Sequence, residues 1–216
     1  MPHSAHRHFA ALLVLLSGLA VPAGAAVVSG DLSLGNAPGG RGEQVRDAVV
    51  WLESVPDKLE RRLATGGWRW IWQHRDPPRL PRLDQAGQRF RPHVLALAAG
   101  SKLEIRNADH VWHGTFSVSP ARPFDLGKRS PGRADTLAFD SLGVVAVRCD
   151  IHPDMSAFVL VTPNHAFTRP NADGRWTLPE LPAGHYVVHA WHPDRGELRK
   201  ELDVPARGTM RLSLRW

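Results

Sequence analysis

Along most of this chain apolar and polar residues alternate in short runs; they do not recur every three or four positions. The candidate strands are "AVVSGDLSL", "DAVVWLES", "RFRPHVLALAAG", "SKLEIRNA", "HGTFSVS", "RADTLAFD", "GVVAVRC", "SAFVLVTP", "GRWTLPE", "GHYVVHAWHP", "RKELDVP" and "TMRLSLRW". Helical periodicity is nearly absent, and turn-forming pairs such as Asp173-Gly174 and Ala183-Gly184 join the runs. Short alternating strands with frequent Gly and Pro predict an all-β sandwich or barrel. So many strands exceed what one small sandwich needs, which predicts two domains.

The head, 26–62, supplies about two strands, too few to bury a core. The tail, 164–216, supplies about four. Each reads as part of something larger, and the expectation is that they build one sandwich with the middle, 86–163, inserted between them. The alternative pairs the head with an edge of the middle domain and lets the tail fold alone. A Trp- and Pro-rich connector spans 63–85, with Trp68, Trp70 and Trp72 on one face if extended. Their expected place is between the two domains, where aromatics bury a large area.

The first residues follow a different pattern. "MPHSAHRHF" is basic and free of acids, "AALLVLLSGLAV" is a short apolar run, and "PAGAA" offers small residues. This predicts a secretory signal peptide over 1–25, cut after Ala25 with Ala23 at −3. An uncleaved anchor is the alternative. No other apolar run is long enough to cross a bilayer, so no integral span is expected after cleavage. The protein is therefore expected in the periplasm or otherwise exported.

Charge changes little in this picture. The formal net charge is +6. Loss of residues 1–25 removes one Arg and no acid, lowering it by one to +5. The basic residues are scattered through loops with no recognition helix, so nucleic acid is not an expected partner.

The informative feature is a single cysteine. Export implies an oxidising compartment, where cysteines ordinarily pair, yet Cys149 has no second cysteine to meet. It closes the run "GVVAVRC", and "DIHPDM" follows before "SAFVLV" resumes. Cys149, His152 and Met155 thus share one tight loop at one end of a sandwich. A thiolate, an imidazole and a thioether suit copper, which favours two His and one Cys in a plane with a weak axial Met. The second His must come from elsewhere, and "EIRNADHVWHGTFSVS" offers His110 and His113. Taken one at a time, a Cys ending a strand and a nearby Met are ordinary core residues.

The run "RFRPHVLALAAGSKLEIRNADHVWHGTFSVSP … FDSLGVVAVRCDIHPDMSAFVLV" resembles a cupredoxin of the plastocyanin and amicyanin kind. It matches that family's "N-x-D-x-x-x-H" and "G-x-x-x-x-x-C-x-x-H-x-x-M". The head ("V-x-G-x-V … A-x-V-x-L") and tail ("T-x-x-x-G-x-W/F-x-L-x-x-L-P-x-G-x-Y") resemble carboxypeptidase-regulatory-like, transthyretin-like sandwiches. The whole resembles periplasmic proteins labelled methylamine-utilisation. The resemblance implies a Greek-key cupredoxin sandwich joined to a transthyretin-like one. It implies copper held by His113, Cys149 and His152, with Met155 axial. His113 is preferred to His110 because it fills the last position of the first motif. Many cupredoxins carry a loop-bracing Asn after that His; here the residue is Gly114, so the resemblance assigns no brace.

The function implied is one-electron transfer through a type 1 copper site, with His152 as the electron's exit and a dehydrogenase or cytochrome as redox partner. No acid–base pair or nucleophile triad is legible, and the only His-x-His pair, His6/His8, lies in the leader; an enzyme is not expected. Two alternatives belong beside this reading. One is a copper-binding or copper-delivery protein. The other is a structural or carbohydrate-binding β-sandwich with a vestigial site. Among other residues, Asn107 and Asp109 are expected to shape the turn before His113. His93 is expected to make a structural hydrogen bond rather than approach copper. His185 and His189 share a strand face and are a weaker candidate for a second metal. Asp150 and Asp154 flank the ligand loop.

Overall fold

A computed structural model describes residues 24–35, 44–65 and 80–216. Residues 1–23 of the proposed signal peptide and Trp68, Trp70 and Trp72 lie outside these residues. The described residues are almost wholly β, in four sheets.

In the first sheet β1 (Ala25–Ser33) pairs antiparallel with β13 (Arg175–Thr177) and β14 (Leu181–Pro182). On its other side it runs parallel to β17 (Gly208–Arg215), from Ala26↔Gly208 to Ser33↔Arg215. The second sheet has the order β12 (Phe167–Thr168), β2 (Val49–Leu52), β15 (Gly184–His192), β16 (Gly196–Val204). In both sheets the strand from the head of the chain is paired with strands from its tail. One core lies between them, including Val28, Val50, Leu52, Leu181, Val188 and Leu212.

The middle of the chain forms the other two sheets. One has the order β4 (Phe90–Arg91), β3 (Arg82–Gln85), β6 (Ser101–Asn107), β9 (Ala134–Phe139). The other runs β5 (Val94–Ala98), β11 (Ser156–Thr162), β10 (Gly143–Arg148), β7 (His113–Ser117), β8 (Phe124–Arg129). Between them Leu83, Leu103, Phe139, Val145 and Val159 are buried together with Cys149 and Met155.

A third apolar cluster joins the two halves: Val49, Trp51 and Trp191 from the second sheet meet Val94 and Leu160 of the middle unit. This explains why β2 is buried at every position. Successive side chains of a strand point to opposite faces. Val50 and Leu52 therefore enter the first core, while Val49 and Trp51 enter the junction. β11 divides likewise, with Val159 and Val161 in the middle core and Leu160 in the junction.

Two expectations about elements need correction. The run "RFRPHVLALAAG" is not one strand but β4 and β5, because Pro92 between them has no N–H to give a ladder. A helix, α1 (Asp57–Ala64), was not anticipated. Leu59 is its buried residue, and Asp57 and Glu60 sit in its first turn, where the helix dipole favours acids. Glu60 fastens the helix to the tail by accepting hydrogen bonds from the His165 backbone N–H, at 3.0 Å, and ring Nδ1, at 2.6 Å.

Candidate metal centre

β7 and β10 are antiparallel neighbours, registered at Arg148↔Phe116. The start of one strand therefore lies beside the end of the other. This brings His113, first residue of β7, to Cys149, which follows β10. Beyond Cys149 the chain turns back at once. The Cys149 N–H donates to the Met155 carbonyl at 3.3 Å, and the Met155 N–H donates to the His152 carbonyl at 3.0 Å. That closed turn folds His152 back over Cys149.

The resulting cluster is tight. Nδ1 of His113 is 3.1 Å from Nδ1 of His152 and 3.9 Å from Sγ of Cys149, and Sγ is 3.7 Å from Nδ1 of His152. These three residues form the one metal-competent group among the described residues. His113 is fully buried, Cys149 and Met155 are buried, and His152 is half-buried. Met155 lines the same core as Cys149. His110 is exposed and outside the group.

The donor triangle suits one first-row ion. A triangle with edges of 3.1, 3.7 and 3.9 Å has a centre about 2.1 Å from each corner. Metals such as zinc keep about 2.0–2.1 Å to imidazole nitrogen and about 2.3 Å to thiolate sulfur. Two imidazole nitrogens facing each other and a thiol sulfur need a proton or a cation between them, because lone pairs so close repel. Two imidazoles, a thiolate and a nearby thioether form the combination that selects copper.

The surroundings fix the first imidazole. Oδ2 of Asp109 accepts from Nε2 of His113 at 3.0 Å, which leaves Nδ1 free to face the cluster. The same carboxylate accepts from the backbone N–H groups of Gly87, at 2.9 Å, and Gln88, at 2.8 Å. Burial works against its charge, but the bonds from Gln88, Gly87 and His113 outweigh it and hold the Asp109 carboxyl below its usual range. Those two N–H groups belong to the two-residue loop of the β3–β4 hairpin. Gly87 and Gln88 both have positive φ, 65° and 55°, the signature of a type I′ turn.

Asn107 orders the rest of the segment. Its Oδ1 accepts from the Asp109 N–H at 3.0 Å, and its Nδ2 donates to the carbonyls of Val111, at 2.8 Å, and Arg129, at 2.9 Å. Behind the site, Gln85 Nε2 donates to Thr115 Oγ1 at 2.9 Å, tying β3 to β7. The sequence marks Asn107 and Asp109 as turn formers, but not the reach of Asp109 to the hairpin at residues 87–88. Only the register of β3 beside β6 brings that hairpin within range.

Exposed apolar residues, together with the exposed Asp150 and Asp154, flank the ligands in sequence. Trp112, beside His113, is 57% exposed, and Val111 and Ile151 are also exposed. The remaining histidines singled out from the sequence are engaged elsewhere. His93 bonds Asp47 at 2.6 Å. His185 bonds Asp203 at 2.9 Å, and His189 lies between Glu197, at 2.5 Å, and Glu53, at 3.1 Å.

No protein-family profile and no curated protein matches the chain. Solved structures do. They include a Cu-containing nitrite reductase from Thermus scotoductus SA-01, at 25% identity and TM-score 0.37, covering 40% of this chain and 23% of that one. A Cu(I) form of an amicyanin variant matches at 19% identity and TM-score 0.36, covering 38% of this chain and 81% of that one. A purple cupredoxin from Nitrosopumilus maritimus matches at 19% identity and TM-score 0.35, covering 38% of this chain and 99% of that one. The match thus spans less than a quarter of the nitrite reductase. These structural neighbours are cupredoxins and a copper enzyme, and this chain is an all-β protein whose His-Cys-His cluster could bind copper.

Proposed function

We propose that this protein is an exported one-electron carrier that binds a single copper ion through His113, Cys149 and His152, with Met155 as a weak fourth donor. The observation that carries the reading is the convergence of two imidazole Nδ1 atoms and one thiol sulfur into a triangle sized for one ion, beside a buried methionine. Copper in such a site supplies a Cu(II)/Cu(I) couple whose ligands need little rearrangement between the two states.

The protein's own residues do the rest. Asp109 fixes the tautomer and orientation of His113. Burial of His113, Cys149 and Met155 keeps water from the inner side. Half-buried His152 offers an imidazole edge toward solvent, and the exposed apolar residues Trp112, Val111 and Ile151 give a partner protein a surface to rest against. The paired head and tail strands are the two parts of a transthyretin-like sandwich that carries the copper unit. The reading is of a carrier, served by a dehydrogenase or cytochrome, rather than an enzyme.

Reconstitution tests it. Metal-free protein given one equivalent of Cu(II) is expected to develop a strong visible thiolate-to-copper band, absent in Cys149→Ser, and a reversible wave in voltammetry. No band, and no copper kept through dialysis, would end the reading. Rapid surrender of Cu(I) to an acceptor chelator, with no reversible wave, would favour delivery instead.

A further inference from the structure

Gly114 sits between His113 and Thr115 on β7, buried, and its φ is not in the left-handed region, so backbone conformation does not demand glycine. Space does. A Cβ there would stand 1.7 Å from Oδ1, 2.4 Å from Cγ and 2.9 Å from Oδ2 of Asp150. The three atoms nearest that position belong to one carboxylate. Real Cβ atoms do not approach other atoms so closely, so either the glycine stays or the carboxylate leaves.

The two residues stand at matched places. Gly114 follows His113, and Asp150 follows Cys149. The carboxylate therefore rests in a notch on one ligand-bearing segment while its own backbone belongs to the other. Asp150 is otherwise exposed and forms no hydrogen bond or ion pair among the described residues, so its charge is unpaired there.

We propose that Asp150 is a positioning residue of the centre: seated in the Gly114 notch, it keys the ligand loop to β7 and holds a negative charge beside the metal. The electrostatic half rests on the copper reading above; the packing half does not. A nearby negative charge favours Cu(II) over Cu(I), because it stabilises the more positive ion more strongly. Asp150 thus lowers the reduction potential of the couple, and added salt weakens the effect because the carboxylate is solvent-exposed.

The test uses Asp150→Asn, which keeps the shape and removes the charge, and Gly114→Ala, which keeps the charge and expels it from the notch. Asp150→Ala, alone and combined with Gly114→Ala, completes a double-mutant cycle. In metal-free protein unfolded by urea, Gly114→Ala is expected to lower the midpoint, and most of that loss should vanish in the Asp150→Ala background. Equal losses in both backgrounds would overturn the keyed contact. In copper-loaded protein, Asp150→Asn and Gly114→Ala should each raise the midpoint potential while the thiolate band stays. A potential that neither variant moves would overturn the charge role. A wild-type protein that takes up no copper would defeat the copper reading and the charge role together, while the metal-free cycle still decides the packing.

Discussion

At the scale of single residues, the centre depends on which nitrogen of His113 faces the sulfur. An imidazole has two, and the bond from Nε2 to Asp109 decides between them. The acid is itself oriented by two backbone donors, so it cannot swing away without leaving N–H groups unpaired. Losing such a partner to a ligating His typically costs about 10–100-fold in metal affinity. Asp109→Ala is therefore expected to weaken copper retention by about that factor in a chelator competition. Asp109→Asn, whose amide oxygen still accepts from Nε2, should lose less. Equal retention in Asp109→Ala and wild type would show that burial alone orients the ring. The loop residues Cys149, His152 and Met155 were legible because they are neighbours in sequence. His113 was legible only through the resemblance, since spacing alone left His110 open. The pairing of Gly114 with Asp150 was not legible: in sequence Gly114 shows only a missing side chain, and the atoms that fill its space come from the ligand loop after β10.

At the scale of elements, long alternating runs announced β6, β7, β9, β10, β11, β15 and β17. β3, β8 and α1 were missed for separate reasons. "RLDQ" and "FDLGKR" contain too few apolar residues for alternation to show, and the buried residue of α1 is Leu59, which is too little to establish a period. The short β3–β4 hairpin nevertheless supplies the two N–H groups under Asp109. Gly87 allows this because its φ of 65° is costly for any residue with a Cβ. A Cβ there would meet nothing within 4 Å, so a substitution acts through conformation and not through a clash. Gly87→Ala is thus expected to cost about 1–2 kcal/mol in denaturant unfolding. It should also weaken copper retention, because the turn no longer aims both donors at Asp109. A loss of stability with retention unchanged would separate the hairpin from the centre.

At the scale of the whole molecule, the described residues form four sheets with three apolar layers between them, and the middle layer joins the unit that carries the His-Cys-His cluster to the paired head and tail strands. That layer was not legible in advance. The run "VVWL" reads as buried, but nothing in it tells which face meets which neighbour. Titratable groups sit at the layer's edge, and the junction is expected to respond to pH through them. His93, just before β5, has its Nδ1 2.6 Å from Oδ2 of Asp47, and its ring meets Phe158 edge-on at 5.5 Å. Arg169 approaches the other oxygen of Asp47 at 3.5 Å, and Asp194 adds a second carboxylate field. The hydrogen bond to Asp47 raises the His93 pKa above its ordinary 6.5; burial and Arg169 oppose this without cancelling it. A group whose folded-state pKa is raised stabilises the fold fully below its unfolded value, and that contribution fades as pH climbs through the folded one. The protein should therefore lose stability as pH rises above the ordinary histidine value of 6.5 for this reason. His93→Gln, which can still donate to Asp47 but does not titrate, should flatten that part of the profile. Amide exchange read at Val94 and Leu160 localises the effect: both lie in the junction, and their protection should fall with rising pH in the wild type and not in the variant. An equal fall in both proteins would move the titration away from His93 and leave the junction held by its apolar layer alone.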